Sequence, residues 1–502
     1  MKKTVIKSIL FLFVITTVSS CLDYEDLREN PNDPISVPPS LLFTELTPGT
    51  TNSFTDAYIN YQYHLWSSTD GVSSVNMRSG FGGGFSYGSI RNINKMIEEA
   101  DAAGAEEYKI LAKFYTARAY IEMTRRMGDV PLTEAMMGVD NPRPKYDSSK
   151  SVYIQALNWL DEASLELGTF IAANPGYVLE GDVYYNGNLI KWHKLLNSYT
   201  LRILISLSKK ENDAEVNVKG RFNTIISNPD KYPIMTSLED NAQLAFANEE
   251  GFKQTYQPDN GVYQAGVVYA STYIDLLKSY NDPRLFIVAD PTQLAIDANP
   301  GDLAGVKSDP DSYDGANPTI DPSDNITRSL NGELSRPNQE KYWNYVGQPG
   351  VFLSYWEQEL TIAEAAHRGW ISNNAKDYYD NGVRASMEWY GAEEDAIVTY
   401  LGASVSQYIT GSAGLTRILE QKYLAFAENS GTESFFNMRR SGIPSLPYSS
   451  FNIPASDPGI PVRWSYPGSE LSDNEANYKA ALTRQFGVES DDVDFLIWEL
   501  KN

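Results

Sequence analysis

Cysteine is nearly absent from this 502-residue chain, which contains a single one, Cys21. One thiol excludes an intramolecular disulfide framework and a cysteine-based zinc site, so the hydrophobic core must stabilise the fold. Histidine is almost as scarce, and the three residues lie on or beside predicted helices, far apart in sequence: His64, His193 and His367. Because none of them has a metal-binding pair at helical spacing or an identifiable catalytic partner, we expect no metal, no cofactor and no catalytic histidine.

Basic residues are outnumbered: the chain has 41 lysines and arginines against 65 aspartates and glutamates, a formal charge of −24. Such a charge repels phosphate backbones, so we expect no nucleic-acid partner. We predict neither a phosphate-binding Gly-Lys-Ser loop nor a serine nucleophile elbow. A carboxylate pair for glycoside hydrolysis stays open, because only the distance between two acids in the fold identifies a working pair.

Long hydrophobic runs are also missing from the N-terminus. It begins with lysines, continues with a short apolar run at residues 9–18, and has small residues directly before Cys21. The run is shorter than the ~20 residues of a membrane-spanning helix, and the pattern is typical of a lipoprotein signal peptide. We therefore predict a signal peptide over residues 1–20, an acylated Cys21 with a tether over residues 21–39, and a single body over residues 40–502.

Apolar residues recur at intervals of three and four in several segments, which is the period of an amphipathic helix. Gly128, Gly168, Gly369 and Gly391 follow such stripes and are predicted to end the helices. The stripes lie at residues 110–121, 153–167, 188–209, 352–367, 375–390 and 415–428. We predict a mainly α fold in which tetratricopeptide-like helix pairs form a scaffold with long irregular loop insertions and few short strands, without a strict repeat period.

The segments between the predicted helices are rich in Gly, Asn, Asp, Pro and Tyr, notably residues 79–88 and 291–344. Loops of this kind on a rigid frame usually carry the binding residues. Asp309, Asp311 and Asp314 lie in a sequence close to that of a calcium loop, but Tyr313 occupies a ligand position and the closing glutamate is missing. We therefore predict an acidic turn there and no metal site.

Aromatic residues are abundant, with 33 Tyr, 19 Phe and 9 Trp. Most belong in a core, but two groups lie where no helical stripe requires them. An exposed ring beside planar polar groups suits a sugar, whose C–H face packs on the ring while its hydroxyls form hydrogen bonds. The candidate ligand-binding residues are Trp66, Phe81, Phe85 and Tyr87 around a glycine-rich loop, and Tyr256, Tyr263 and Tyr269 in a second irregular segment.

A series of short motifs, in consistent order along the chain, resembles the SusD/RagB family of surface nutrient-binding lipoproteins. They are G-D-V-P-L-T-E-A at 128–135, P-K-Y-D at 144–147, G-D-V-Y-Y-N-G-N at 181–188, W-H-K-L-L-N-S at 192–198, L-R at 201–202, D-P-R-L at 282–285, E-A-A-H-R-G-W at 364–370, Q-K-Y at 421–423, R-R-S-G-I-P at 439–444 and I-P-V-R-W-S-Y-P at 460–467. Two positions depart from the family pattern, Asn188, where a second acid is usual, and Lys307, where the usual G-V-P-x-G is broken. The motifs themselves are interpreted as scaffold, with Arg439 and Arg440 holding carboxylates.

The resemblance implies a helical scaffold of tetratricopeptide-like units, anchored by lipid at the outer surface of the outer membrane. It implies capture of oligosaccharides and their delivery to a SusC-like, TonB-dependent transporter, without enzymatic activity. Two alternatives stay open on the sequence. One is a helical glycoside hydrolase acting through a carboxylate pair, and the other is a binder of peptides or another nutrient within the same family.

Overall fold

The computed structural model describes residues 36–47, 62–67, 78, 80–254, 258, 266–453 and 459–502. Cys21, Tyr256 and Tyr263 lie outside these residues, as does the predicted signal peptide, so their roles stay predictions. None of the helices in the described part combines the length and apolar character that a membrane crossing requires.

The described chain folds mainly into α-helices, as the sequence predicts. The helices are α1 (Pro39–Leu46), α2 (Tyr87–Ala103), α3 (Glu106–Met127), α4 (Ser149–Ala173), α5 (Leu189–Ser206), α6 (Val218–Ser227), α7 (Ser271–Ser279), α8 (Leu285–Val288), α9 (Gln293–Ala298), α10 (Leu303–Ser308), α11 (Pro322–Leu330), α12 (Gln339–Tyr342), α13 (Tyr355–His367), α14 (Ala375–Tyr390), α15 (Glu394–Gly402), α16 (Ser412–Phe426), α17 (Glu433–Ser441), α18 (Glu470–Asp473) and α19 (Glu475–Phe486). The strands are β1 (His64–Trp66), β2 (Ala242–Leu244), β3 (Val267–Tyr269) and β4 (Gly350–Leu353).

Successive helices pack side by side, which gives the predicted tetratricopeptide-like pairs. The most extensive packing joins α2 with α3, α3 with α4, and α13 with α14, and α5 and α16 both pack on α13. The strands form two antiparallel ribbons, β1 with β3 and β2 with β4. Because the ribbons are only two strands wide, they depend on the helices for their stability.

Helix α4 shows how the sequence builds these layers. Ser148 caps its first turn by accepting a hydrogen bond from the backbone N–H of Ser151. The predicted stripe is fully buried, because Tyr153, Leu157 and Leu167 are all 0% exposed. Truncation of one such side chain to alanine typically costs ~2–5 kcal/mol, so the stripe fixes α4 against its neighbours.

The glycine predictions were correct at three helix ends and wrong at a fourth. Gly369 follows the end of α13 at His367 with φ 75°. Gly391 ends α14 in the left-handed conformation, and Gly128 ends α3 with φ 101° but outside the left-handed helical region. Gly168 does not end α4, which continues to Ala173. A Cβ at Gly168 would lie 3.1 Å from the ring of His193, so this glycine makes room for a side chain of α5.

Two other boundaries differ from the prediction because strands occupy the positions. Phe352, predicted to begin a helix, lies in β4, and α13 begins at Tyr355. His64, predicted to lie on or beside a helix, lies in β1, opposite Tyr269 of β3. Strands of three or four residues are too short to show a detectable alternating pattern. Both positions were therefore assigned to the neighbouring helices, whose apolar spacing is visible in the sequence.

The motif residues form the scaffold, as predicted, by bonding to one another across the fold. Arg284 of the D-P-R-L motif is 0% exposed and donates to Asp282 and to Gln421 of the Q-K-Y motif. Arg439 pairs with Glu499, and Arg440 pairs with Glu364 of the E-A-A motif. These buried bonds tie distant segments together, so the motifs identify the fold rather than a ligand site.

Candidate functional site

The glycine-rich loop before α2 is open on one side and closely packed on the other. A Cβ would meet nothing within 4 Å at Gly82 or Gly84, whereas at Gly83 it would overlap the backbone carbonyl of Ser465. The loop is also held there by a hydrogen bond from the Ser465 N–H to the Phe81 carbonyl, at 2.9 Å. Glycine is therefore required at Gly83 by close backbone approach, while its neighbours leave accessible space.

The three aromatic candidates of this loop turn their rings toward the core. Phe81 is 4% exposed and lies 5.0 Å from the ring of Trp464, contrary to the expectation of an exposed loop residue. Phe85 and Tyr87 are half-buried with ring centroids 5.2 Å apart. The Tyr87 hydroxyl donates to the carbonyl of Pro131 at 2.6 Å, and burial raises the pKa of Tyr87. The loop thus brings these rings together, but their contacts are mainly with one another and with the core rather than with solvent.

Trp66, predicted with the glycine-rich loop, and Tyr269, predicted in the second irregular segment, both lie on the β1–β3 ribbon. Trp66 is half-buried and faces Val267 across the ribbon. Tyr269, predicted in an irregular segment, ends β3 with 0% exposure, and its hydroxyl donates to the carbonyl of Val288 at 3.1 Å. Because both faces of its ring are covered, Tyr269 is a core residue, and only Trp66 of this pair retains an accessible edge.

A cleft opens beside Phe81, on one side of the glycine-rich loop. We call it the Phe81 cleft; its volume is about 370 Å³. It is lined by Phe81, Phe435, Met438, Arg439, Gly442, Pro444, Ser445, Leu446, Tyr448, Ile460, Pro461 and Val462. Tyr448 is 47% exposed and Ile460 is 39% exposed. An apolar cleft with a half-exposed tyrosine is a surface on which a sugar ring can stack.

Sequence reasoning missed Tyr448, although the same signal was available. Residues 443–461 are rich in Pro and Ser and carry Tyr448 and Phe451 where no helical stripe requires them. This is the criterion that selected Trp66 and Tyr87. In the structure, Phe451 is 46% exposed, so the segment presents more aromatic surface than the glycine-rich loop does.

A second, polar cavity lies between the end of α1, the start of α2 and the middle of α3. We call it the Arg118 recess; its volume is about 280 Å³. It is lined by Glu45, Leu46, Thr47, Ser86, Ser89, Asn92, Ile93, Tyr115, Arg118, Ala119 and Glu122. The Asn92 amide donates to Glu45 at 3.0 Å, which orients that carboxylate. The recess offers hydrogen-bond donors and acceptors of both charges in one small space.

Residues 84–88 read Gly-Phe-Ser-Tyr-Gly, a match to the serine hydrolase pattern that the sequence prediction passed over. The structure does not give it the required geometry. Ser86 precedes α2 with φ −92°, whereas a nucleophile elbow is a strained turn between a strand and a helix. Residues 81–86 form no strand, and the lining of the recess that Ser86 joins contains no histidine. Ser86 is therefore a polar wall residue of the Arg118 recess.

Ser164, His193 and Asn197 are hydrogen-bonded in a group that superficially resembles a catalytic triad. The Ser164 hydroxyl donates to Asn197 at 2.6 Å, and His193 Nε2 lies 3.0 Å from the same oxygen. Burial lowers the pKa of His193 to about 4. Because the serine proton points to Asn197, His193 must act as donor rather than base, so the group is a polar link between α4 and α5.

Two further charged pairs among the described residues, His64 with Glu428 and Asp492 with Asp494, do not have the geometry of an accessible catalytic pair. His64 Nε2 lies 2.6 Å from Glu428, with side-chain exposures of 1% and 0%, so no substrate reaches this pair. Asp492 and Asp494 share a hydrogen bond, which leaves no room for a sugar ring between them. Within the described residues, no group of three or more His, Cys, Asp or Glu side chains could hold a metal ion.

Comparisons with known proteins agree with this architecture. A family model described as "Starch-binding associating with outer membrane" matches residues 31–467. A solved outer-membrane protein from Bacteroides vulgatus, described as involved in nutrient binding, is 33% identical with a TM-score of 0.81, covering 93% of this chain and 100% of its own.

Two SusD homologues from Bacteroides fragilis are 31% and 30% identical, with TM-scores of 0.83 and 0.81 and the same coverage of both chains. No curated protein matches the chain.

Proposed function

Because the chain belongs to the SusD-like family of starch-binding proteins that associate with the outer membrane, we propose that it captures oligosaccharides at the cell surface. The observation that carries this proposal is the family match over residues 31–467. The ligand surface in this proposal is the region around the glycine-rich loop, with the Phe81 cleft on one side and the Arg118 recess on the other.

The chemistry of the Phe81 cleft supports sugar binding. Tyr448 offers a half-exposed ring and a phenolic hydroxyl, and Ser445 adds a second hydroxyl to the lining. Arg439 lies in the same wall, but its charge is offset by Glu499. A cleft without an uncompensated charge favours a neutral ligand with apolar faces, which describes a pyranose ring. Trp66, Phe85 and Tyr87 remain further candidate contacts, at half-buried positions.

We propose capture without cleavage. Ser86 lacks the strand–turn–helix geometry of a catalytic serine, and Ser164 and His193 are buried. Asp492 and Asp494 share a hydrogen bond, which leaves no space between them for a glycosidic bond. The family is one of binding proteins. In this proposal the protein holds the oligosaccharide for a SusC-like, TonB-dependent transporter, and two or more acyl chains on Cys21 keep it at the membrane.

Lipid attachment is tested by metabolic labelling of cells with an alkyne analogue of palmitate. The full-length protein should incorporate the label and the Cys21→Ala variant should not. The transporter is tested by mild detergent extraction and purification through a tag on the chain. Co-purification of a TonB-dependent transporter in a constant molar ratio to the chain supports the proposed complex, and recovery of the chain alone contradicts it.

Ligand class is tested with an array that carries glycans and peptides side by side. The proposal predicts signals on glycans, while signals confined to peptides would replace it with the peptide-binding alternative. The hydrolase alternative is tested by incubating the protein with each bound polysaccharide and assaying reducing ends over time. Sustained release of reducing ends would favour hydrolysis.

A further inference from the structure

Arg118 of α3 lines the Arg118 recess, and in the part of the chain that the structure describes no hydrogen bond or ion pair joins its guanidinium to another residue. Its Nε atom is buried, and within the described residues no hydrogen bond or ion pair reaches it. The contact that it does make is with the face of Phe352, whose ring centroid lies 5.2 Å from the guanidinium carbon. A buried donor without an acceptor is costly, so Nε would gain from an acceptor supplied by a ligand.

Arg202 contacts the same phenylalanine ring as Arg118, but its hydrogen bonds are those of an arginine with a structural role. Its guanidinium lies 5.5 Å from the same Phe352 ring, yet it pairs with Glu357 and donates to the carbonyl of Phe352 at 2.7 Å. The ring is thus flanked by two cations, of which one is neutralised and one is not. Stacking on Phe352 is therefore compatible with a carboxylate partner, and Arg118 differs from Arg202 in that it lines the Arg118 recess without one.

The recess places acceptors near this donor. Glu122 lies one turn further along α3 and is only weakly engaged, 3.9 Å from Arg125 and from Arg126. Glu45 accepts from the Asn92 amide. One guanidinium against two carboxylates leaves the recess with a net negative charge, which disfavours an anionic ligand. A neutral polyol fits, because its hydroxyls can accept from the guanidinium and donate to the carboxylates at the same time.

The size and the lining of the Arg118 recess further limit the ligands that it can bind. About 280 Å³ is near the lower end of the ~300–1,000 Å³ range of small-molecule pockets, which suits one end of an oligosaccharide rather than a long internal stretch. Leu46, Ile93 and Ala119 give the recess an apolar side. The C–H face of a sugar ring can pack there while its hydroxyls meet the polar groups.

We propose that the Arg118 recess binds the terminal, uncharged sugar ring of an oligosaccharide, with Arg118 as the donor and Glu122 and Glu45 as acceptors. This assignment rests on the proposed function and adds to it a second subsite, beside the Phe81 cleft, that selects neutral over acidic sugars. Removal of an unpaired charge should not weaken the fold, which separates a ligand role for Arg118 from a structural one.

The experiment uses calorimetric titration of the wild-type protein and two variants with neutral hexasaccharides of glucose, xylose, mannose and N-acetylglucosamine, and with hexagalacturonate as the anionic probe. The variants are Arg118→Met and a control, Arg91→Met, which removes the same charge from an exposed position of α2 outside the recess. We expect Arg118→Met to bind the preferred neutral probe at least tenfold more weakly, with an unchanged or higher Tm, and Arg91→Met to bind like the wild type.

Three results would overturn the proposal. Unchanged affinity of Arg118→Met, in a protein that binds a neutral probe, refutes the recess and leaves the proposed function intact. A lowered Tm with unchanged affinity makes Arg118 structural. Arg118-dependent binding of hexagalacturonate refutes the selection of neutral sugars. Failure of the wild type to bind every probe contradicts the proposed function itself, so the two levels of failure are distinguishable.

Discussion

Arg440 and Glu364 form a two-bond ion pair in the centre of the helical body. Arg440 Nη1 donates to Oε1 at 2.6 Å and Nη2 donates to Oε2 at 2.9 Å, and their side chains are 2% and 0% exposed. Lys422 approaches the same carboxylate at 3.3 Å. One glutamate of α13 therefore holds α16 and α17 through two cations, in a position where water cannot substitute for it.

Loss of this carboxylate should leave two buried cations without their partner. Burial alone would raise the pKa of Glu364, but Arg440 and Lys422 outweigh it and hold the pKa well below its usual range. We expect Glu364→Gln to reduce the free energy of unfolding by ~3–5 kcal/mol at pH 7, the typical cost of breaking a buried pair. Urea denaturation of the wild type and of Glu364→Gln measures this difference in the free energy of unfolding.

The same ion pair makes the stability of the fold depend on pH in the acid range. A carboxylate whose pKa is depressed in the fold contributes stability above its unfolded pKa, and that contribution is lost as the pH falls through the folded pKa. The deficit of Glu364→Gln relative to the wild type should therefore shrink as the pH is lowered below about 4.5, the ordinary glutamate value. A deficit that is independent of pH would show that the ionised carboxylate does not act as described.

Glu359 should behave in the opposite way, because it is buried and no cation among the described residues pairs with it. Burial raises its pKa to about 7, although Asn381 and Gln358 donate to it. The folded state then binds a proton more tightly than the unfolded state, so stability falls as the pH rises from about 4.5 to about 7. Glu359→Gln should raise the free energy of unfolding by ~1–3 kcal/mol at pH 8, and by much less at pH 5. Thermal denaturation at the two pH values tests this, and an equal effect at both would contradict it.

The glycine-rich loop offers a matched pair of substitutions. Gly83→Ala places a Cβ against the Ser465 carbonyl, whereas Gly82→Ala places it in open space. We expect Gly83→Ala to cost ~1–3 kcal/mol of stability, as overpacking does, and Gly82→Ala to change it by less than ~0.5 kcal/mol. Differential scanning calorimetry gives both values, and equal Tm values for the two variants would show that the close approach is not a constraint.

Tyr448 is predicted to contribute to binding and little to folding, since it is 47% exposed. Removal of an aromatic platform is worth ~0.5–1.5 kcal/mol, so Tyr448→Ala should bind the preferred oligosaccharide about three- to tenfold more weakly. Tyr177→Ala is the control, because Tyr177 is 39% exposed and lies outside the Phe81 cleft. Similar losses of affinity in the two variants would assign the effect to something other than the cleft.

Much of the fold could be predicted because its determinants are local or carried by motifs. The stripe of α4 is visible as spacing, and the glycine that ends α14 follows its last apolar residue. The prediction failed at Gly168 because the reason for that glycine is the ring of His193 on another helix. The prediction that Arg440 would bind a carboxylate was confirmed, but its partner, Glu364, could be located only in the structure.

The candidate site was less predictable than the fold. Aromatic residues in irregular segments were the right kind of signal, but burial separates Tyr269 and Phe81 from Tyr448, and burial depends on what distant segments cover. Arg118 gives no sequence signal at all. It lies on a regular helix, and its distinguishing property is that no carboxylate of the described residues pairs with it, which depends on three-dimensional neighbours.

Capture of an oligosaccharide without cleavage is tested most directly by titrating the purified protein, from Cys21 to Asn502, with neutral hexasaccharides in a calorimeter. The recovered sample is then assayed for reducing ends. We predict saturable binding with the hexasaccharide recovered at its original length. Absence of binding to every neutral hexasaccharide, or recovery of shortened sugars, would contradict the account.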